Sequence, residues 1–89
     1  MPERQVYIQN RLGLHARASA AFAAMAGRFQ AHITLTKGDV EVNGKSIMGM
    51  MMLAAAKGTA LTLRADGDDE QQALDALEAL INGRFGEPE

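Results

Sequence analysis

His15 and Arg17 stand two residues apart in the segment Asn10-Arg11-Leu12-Gly13-Leu14-His15-Ala16-Arg17-Ala18-Ser19. An imidazole is a nucleophile as well as an acid–base group, and a guanidinium offers a planar set of donors matched to phosphate oxygens. Gly13 permits a tight or left-handed turn, which sets His15 where a helix begins. There the first N–H groups have no intrahelical acceptor and the dipole end is positive. Such a place binds anions and disfavours the imidazolium form. The chemistry that suits this set is phosphoryl transfer to histidine. The ring attacks phosphorus while the amides at Ala16, Arg17 and Ala18 and the guanidinium stabilise the equatorial oxygens. By themselves the same residues also fit a capping histidine with a solvated neighbour.

A second motif lies thirty residues later, Asn43-Gly44-Lys45-Ser46-Ile47-Met48-Gly49-Met50-Met51-Met52-Leu53. Ser46 is the expected N-cap of a short helix. The helix it would open is apolar almost all round, and two turns on a small domain cannot bury every face. Ile47, Met48 and Met51 are therefore expected at the surface, where flexible thioethers suit docking to more than one partner. Met50 and Leu53 are expected inside. His32 falls on the polar side of a strand pattern, and a His15–His32 metal pair has no third ligand, so no metal or cofactor is expected.

The rest of the composition narrows the field. The 89 residues suffice for one domain, here 1–89 as a single unit. The hydrophobic share is 47%, but alanine makes up sixteen of those residues, so large apolar side chains must gather on a few faces. The chain has no cysteine, which excludes a thiol nucleophile and a disulfide framework. Its longest apolar run, residues 47–56, is far short of the roughly 20 that cross a bilayer. No basic-then-apolar leader opens the sequence, so a cytoplasmic protein without membrane insertion is expected. Net charge is −2, yet no carboxylate occurs from Arg4 to Gly38, where Arg4, Arg11, Arg17, Arg28 and Lys37 all lie. A locally cationic face for phosphate or acidic partners is the consequence. The overall charge and 4% aromatic content argue against nucleic-acid binding. A regulatory interaction domain, docking through residues 47–52 with an incidental histidine, stays open.

The elements that must position these residues are set by periodicity. Val6 and Ile8 alternate with Gln5, Tyr7 and Gln9, and Ile33 and Leu35 with His32, Thr34 and Thr36. Lys37-Gly38-Asp39 is turn material before Val40 and Val42, so residues 32–43 form a hairpin. Leu61 and Leu63 mark a fourth strand. Helices are expected over 16–28, from Ser46 to about Leu53, and over 69–83. In the first, Ala18, Phe22, Met25 and Phe29 share a stripe; in the last, Ala73, Leu74, Leu77, Leu80 and Ile81 do. Asp68 or Asp69 is the expected N-cap of the last helix, Gly83 or Gly86 its stop, and residues 86–89 are expected to fray. The fold class is α+β: an open-faced two-layer sandwich in the order strand-helix-strand-strand-helix-strand-helix. A four-stranded antiparallel sheet carries three helices on one face.

With Gly13-Leu14-His15-Ala16-Arg17 and Lys45-Ser46-Ile47-Met48-Gly49 both in register, the whole chain resembles the HPr family. These are the histidine-containing phosphocarriers of the bacterial phosphoenolpyruvate-dependent phosphotransferase system. The resemblance implies that His15 accepts a phosphoryl group on Nδ1 from Enzyme I and gives it to a IIA-type protein, assisted by Arg17. It implies a stoichiometric carrier more than an enzyme, and a monomer. Ala20 and Ala24, with Ile47, Met48 and Met51, would form the docking surface, and Ser46 would be a regulatory phosphorylation site for HPr kinase/phosphorylase. Ala18 departs from the family's usual proline at this position. Alanine is an excellent helix former, so His15 chemistry is expected to survive. It also resembles the nitrogen-regulatory branch.

Overall fold

The computed structural model describes residues 2–89. The chain runs through β1 (Glu3–Tyr7), α1 (Ala16–Ala26), β2 (His32–Lys37), β3 (Val40–Asn43), α2 (Ile47–Met52), β4 (Ala60–Asp66) and α3 (Glu70–Asn82). This is the order the periodicities predict. The four strands make one sheet in the order β1-β4-β2-β3 with every neighbouring pair antiparallel. Val6 lies opposite Leu61, and Leu35 opposite Leu63. The first strand is thus paired with the last, and the sequence pattern does not reveal that order, because it depends on which edges meet.

One face of the sheet supplies the core. Val6, Ile8, Ile33, Leu35, Leu61, Leu63 and Ala65 point into it and are buried. The helices close over them: Phe22 and Ala26 from α1, Met50 from α2, and Leu74, Leu77 and Ile81 from α3. Each large side chain so buried is worth about 1.5–3 kcal/mol. α1 lies against both α2 and α3. The other sheet face is polar, carrying Gln5, His32, Thr36, Thr62 and Arg64. Thr34 on that face is nevertheless buried, since it stands on a central strand between Arg64 and Asn43. Val40 departs the other way. It is half exposed, because β3 is an edge strand and Val40 sits at its hairpin end.

Three expectations at the chain's punctuation need correction. α1 stops at Ala26, and Gly27 donates to the Ala23 carbonyl, so Phe29 reaches the core from a loop and not from a helical stripe. Asp69 occupies the N-cap position of α3 without capping it. Its carboxylate instead accepts from the Gln30 and Ala31 backbone N–H groups, both at 2.8 Å. Those two donors hold it below the usual carboxylate range. Glu70 takes over near the helix start, accepting from Gly67 N–H at 3.0 Å. The tail also does not fray. After Gly83, Arg84–Gly86 form a single 3-10 turn in which Arg84 (φ 59) and Phe85 (φ 55) are left-handed. That conformation costs roughly 1–2 kcal/mol per residue without glycine. Burial of Phe85 against the core offsets it and turns the chain back toward residues 10–15.

No helix of the described residues is long and apolar enough to cross a membrane.

Candidate functional site

The loop after β1 is held at both ends by its own backbone. Gly13 N–H donates to Asn10 C=O at 3.2 Å, and Leu14 N–H to Ala55 C=O at 2.9 Å. Gly13 has φ +68, and a Cβ there would come within 2.3 Å of the Ala55 carbonyl oxygen. Only glycine allows the loop to lie this close to the segment after α2. Leu14 is buried, and Ser19 Oγ donates to its carbonyl at 3.2 Å. The next residue is therefore delivered to a fixed place. His15 is the N-cap of α1, in extended conformation, and its side chain caps nothing.

The first bond of the α1 ladder runs from Ser19 N–H to His15 C=O. The amides of Ala16, Arg17 and Ala18 come before it, at the positive end of an eleven-residue helix. Ala16 and Arg17 are exposed, whereas the Ala18 side chain is fully buried, so Ala18 has only its amide to offer. Arg17 forms no ion pair or side-chain hydrogen bond among the described residues. It lines, with Arg11, Leu12, His15 and Glu87, a hollow of about 150 Å³ beside the ring.

The second partner of the ring comes from the tail. His15 Nε2 lies 2.6 Å from Glu87 Oε2, with 29% and 8% of the two side chains exposed. Glu87 Oε1 accepts from Asn10 Nδ2 at 2.9 Å, and the same nitrogen donates to Gly13 C=O at 2.8 Å. Asn10 is completely buried and so pins the carboxylate to the loop. The Asn10 hydrogen bond, then that of His15 and the charges of His15 and Arg17, outweigh burial and hold Glu87 below the usual carboxylate range. An ionised carboxylate only accepts, so Nε2 carries the proton in this contact. Nδ1 forms no hydrogen bond among the described residues. Arg11 N–H donates to Glu89 C=O at 3.0 Å and its guanidinium meets the Glu89 carboxylate at 3.3 Å. The tail thus brings acids onto a face that the carboxylate-free stretch alone makes cationic.

The Ser46 motif forms a different kind of helix start. Ser46 Oγ accepts from Gly49 N–H at 3.0 Å, a side-chain cap. Asn43 Oδ1 accepts from Lys45 N–H at 2.9 Å, and Lys45 Nζ donates to Phe29 C=O at 2.8 Å. Gly44 is buried with no room for a side chain, since a Cβ would stand 2.6 Å from Ile33 Cγ2. Met50 and Leu53 are buried; Ile47 and Met51 are 44% exposed and Met48 75%. Ala20 is half-buried and Ala24 exposed on α1, which packs beside α2. Sequence reasoning overlooks Met52, as open as Met48, and Leu12, exposed at the rim of the His15 hollow. It also assigns Glu87 and Asn10 no role. Composition offers no signal for Glu87, because only the left-handed turn at Arg84 and Phe85 brings it back to residue 15.

Similarity to known proteins has the same outline. The family model described as "PTS HPr component phosphorylation site" matches residues 2–83. The phosphocarrier protein HPr of Neisseria meningitidis serogroups A and B is 56% identical over 89 residues, all of both chains. The phosphocarrier protein NPr of Shewanella violacea is 44% identical over 85 residues, covering 96% of this chain and 93% of that one. The crystal structure of HPr-C-His from Thermoanaerobacter tengcongensis superposes with a TM-score of 0.95 at 44% identity, covering 100% of both chains.

Proposed function

This chain belongs to the HPr family of phosphocarrier proteins, and we propose that it carries the phosphoryl group on Nδ1 of His15. The donor in this reading is phospho-Enzyme I and the acceptor a IIA-type protein or domain of the phosphotransferase system. The observation that carries the reading is the state of the ring. Nε2 is engaged by Glu87 at 2.6 Å, while Nδ1 has no hydrogen-bond partner among the described residues and the ring stands at the uncapped start of α1, lining a hollow together with Arg17.

The Nδ1 lone pair attacks phosphorus in line with the departing group of the donor. Arg17 and the amides of Ala16, Arg17 and Ala18 take the charge on the equatorial oxygens. Handing the group on reverses these steps, so His15 is consumed and regenerated by its partners and the chain is a carrier between enzymes, not itself one. It acts as a single unit, 1–89, in the cytoplasm and as a monomer, although a relative from Thermoanaerobacter tengcongensis has been crystallised as a dimer. Docking uses the surface of Ile47, Met48 and Met51 with Ala20 and Ala24, and the exposure of these side chains supports that role. Ser46 is the regulatory site, read by an HPr kinase/phosphorylase. A phosphate there is tolerated by the helix end but opposes an apolar partner surface.

Incubation with phosphoenolpyruvate and Enzyme I tests the reading. The expected product is an acid-labile, base-stable adduct of one phosphoryl mass, absent from His15→Ala. A His15→Ala protein that still acquires this adduct overturns the assignment.

A further inference from the structure

The established role of a phosphocarrier needs His15 to accept and to release, and the two demands on the ring differ. Acceptance needs a lone pair on Nδ1. Release needs a ring that departs as neutral imidazole, because an imidazolide anion is a far poorer leaving group. Both are met if one proton stays on Nε2 throughout.

The tail is built to keep it there. Glu87 Oε2 faces Nε2 at 2.6 Å, and Oε1 is fixed by the buried Asn10, whose amide is tied in turn to the Gly13 carbonyl of the same loop. Two left-handed residues, Arg84 and Phe85, are tolerated just before it, with Phe85 buried as the anchor. Arg84 Nη1 donates to Pro88 C=O at 2.9 Å, and Arg11 N–H to Glu89 C=O at 3.0 Å, holding the segment on either side of the carboxylate. Strain of this kind persists only where surrounding contacts over-determine it.

We propose that Glu87 is a positioning residue that keeps the proton on Nε2 of His15 in both the free and the phosphorylated carrier. This rests on His15 being the phosphoryl acceptor. On charging, the Nδ1 lone pair forms the N–P bond and the donor's bond to phosphorus breaks with its electron pair leaving on the donor. The ring then carries PO3 on Nδ1 and H on Nε2, hence a positive charge, which Glu87 neutralises across the hydrogen bond. On discharge the N–P electron pair returns to Nδ1, the acceptor's nucleophile bonds to phosphorus, and the ring is again neutral imidazole with its Nε2 proton in place. No proton crosses to solvent in either direction. The charged groups around the ring are Arg11 from the loop, Arg17 on α1, and Glu87 and Glu89 from the tail. Residues 54–56, packed under the loop, are all alanine. Among the two tail acids only Glu87 meets a ring nitrogen.

Glu87→Gln keeps an acceptor for Asn10 and removes the charge. Wild type and variant are charged with phosphoenolpyruvate and Enzyme I, and the ring nitrogens are followed by 15N NMR across pH. Back-transfer to unphosphorylated Enzyme I with pyruvate is timed in parallel. In the phosphorylated variant the Nε2 proton is expected to be lost at lower pH than in wild type, because the opposite charge at contact distance is gone. Back-transfer then slows by up to about tenfold above neutrality and matches wild type at acid pH, where both rings keep the proton. Removal of residues 87–89 gives the same pH profile, with unaltered amide spectra for the sheet and helices. Coincident titrations and equal transfer at every pH overturn the inference while leaving His15 as acceptor. A wild type that is never phosphorylated on His15 overturns both, and the two failures are told apart by the adduct itself.

Discussion

Two helices of this protein start thirty residues apart and treat their first amides in opposite ways. At α2 the cap residue closes its own helix, with Ser46 Oγ bonded to Gly49 N–H. At α1 the cap residue turns its ring away to Glu87, and among the described residues no side chain takes the amides before Ser19. A self-capped start is stable and chemically quiet, and it can gain a charge only by modification of the cap. An uncapped start is costlier and is ready for an anion at once. In the proposed function, that difference separates the place that would carry phosphate from the one where phosphate would regulate.

Five substitutions break or sharpen that contrast. The largest effect is expected from Gly13→Ala, which forces a Cβ to 2.3 Å from the Ala55 oxygen in a left-handed residue. It should cost on the order of 3 kcal/mol or more in urea unfolding, with α2 and the loop before α1 displaced together. Ser46→Asp comes next. It keeps a capping oxygen but sets a charge beside Ile47 and Met48. His15 phosphorylation by Enzyme I should slow by about tenfold with the melting temperature little changed; unchanged kinetics would remove Ser46 from the regulatory role. Ser46→Ala should do the reverse, losing about 1 kcal/mol of stability as a cap is lost while phosphorylation proceeds normally.

The smallest effect is an acid one. Glu87 and Asp69 are both held below the ordinary carboxylate range, the first by Asn10 and His15, the second by the Gln30 and Ala31 amides. Each therefore contributes stability that is complete above the unfolded carboxylate range and is lost as pH falls through the depressed native values. Melting temperature measured from pH 6 downward should decline through that window. Glu87→Gln should remove its own share of the decline, and Asp69→Asn the other.

The sequence makes much of this legible where one residue's role is local. Val6, Leu35, Leu63, Leu74 and Leu77 announce their faces by period alone, and Ser46 announces a cap by type and position. His15 is legible as a helix-start histidine because Gly13 and the alanine run frame it. The parts that stay hidden depend on distant backbone. Asp69 looks like a cap, yet its carboxylate serves the turn at residues 30–31, which only the closed fold brings near. Glu87 looks like part of a loose polar end, and two non-glycine residues must adopt a left-handed turn before it can matter. Asn10 reads as an ordinary loop amide until the tail arrives to share it.

That dependence on distant backbone has a bearing on how the protein is made. Strand β1 finds its partner only in β4, Leu14 finds Ala55, and His15 finds Glu87. A growing chain on the ribosome exposes His15 early but lacks the pieces that orient it until nearly all of it has emerged, since such long-range pairings form late. Unfinished chains that end before β4 consequently lack the backbone contacts on which the proposed phosphoryl site depends.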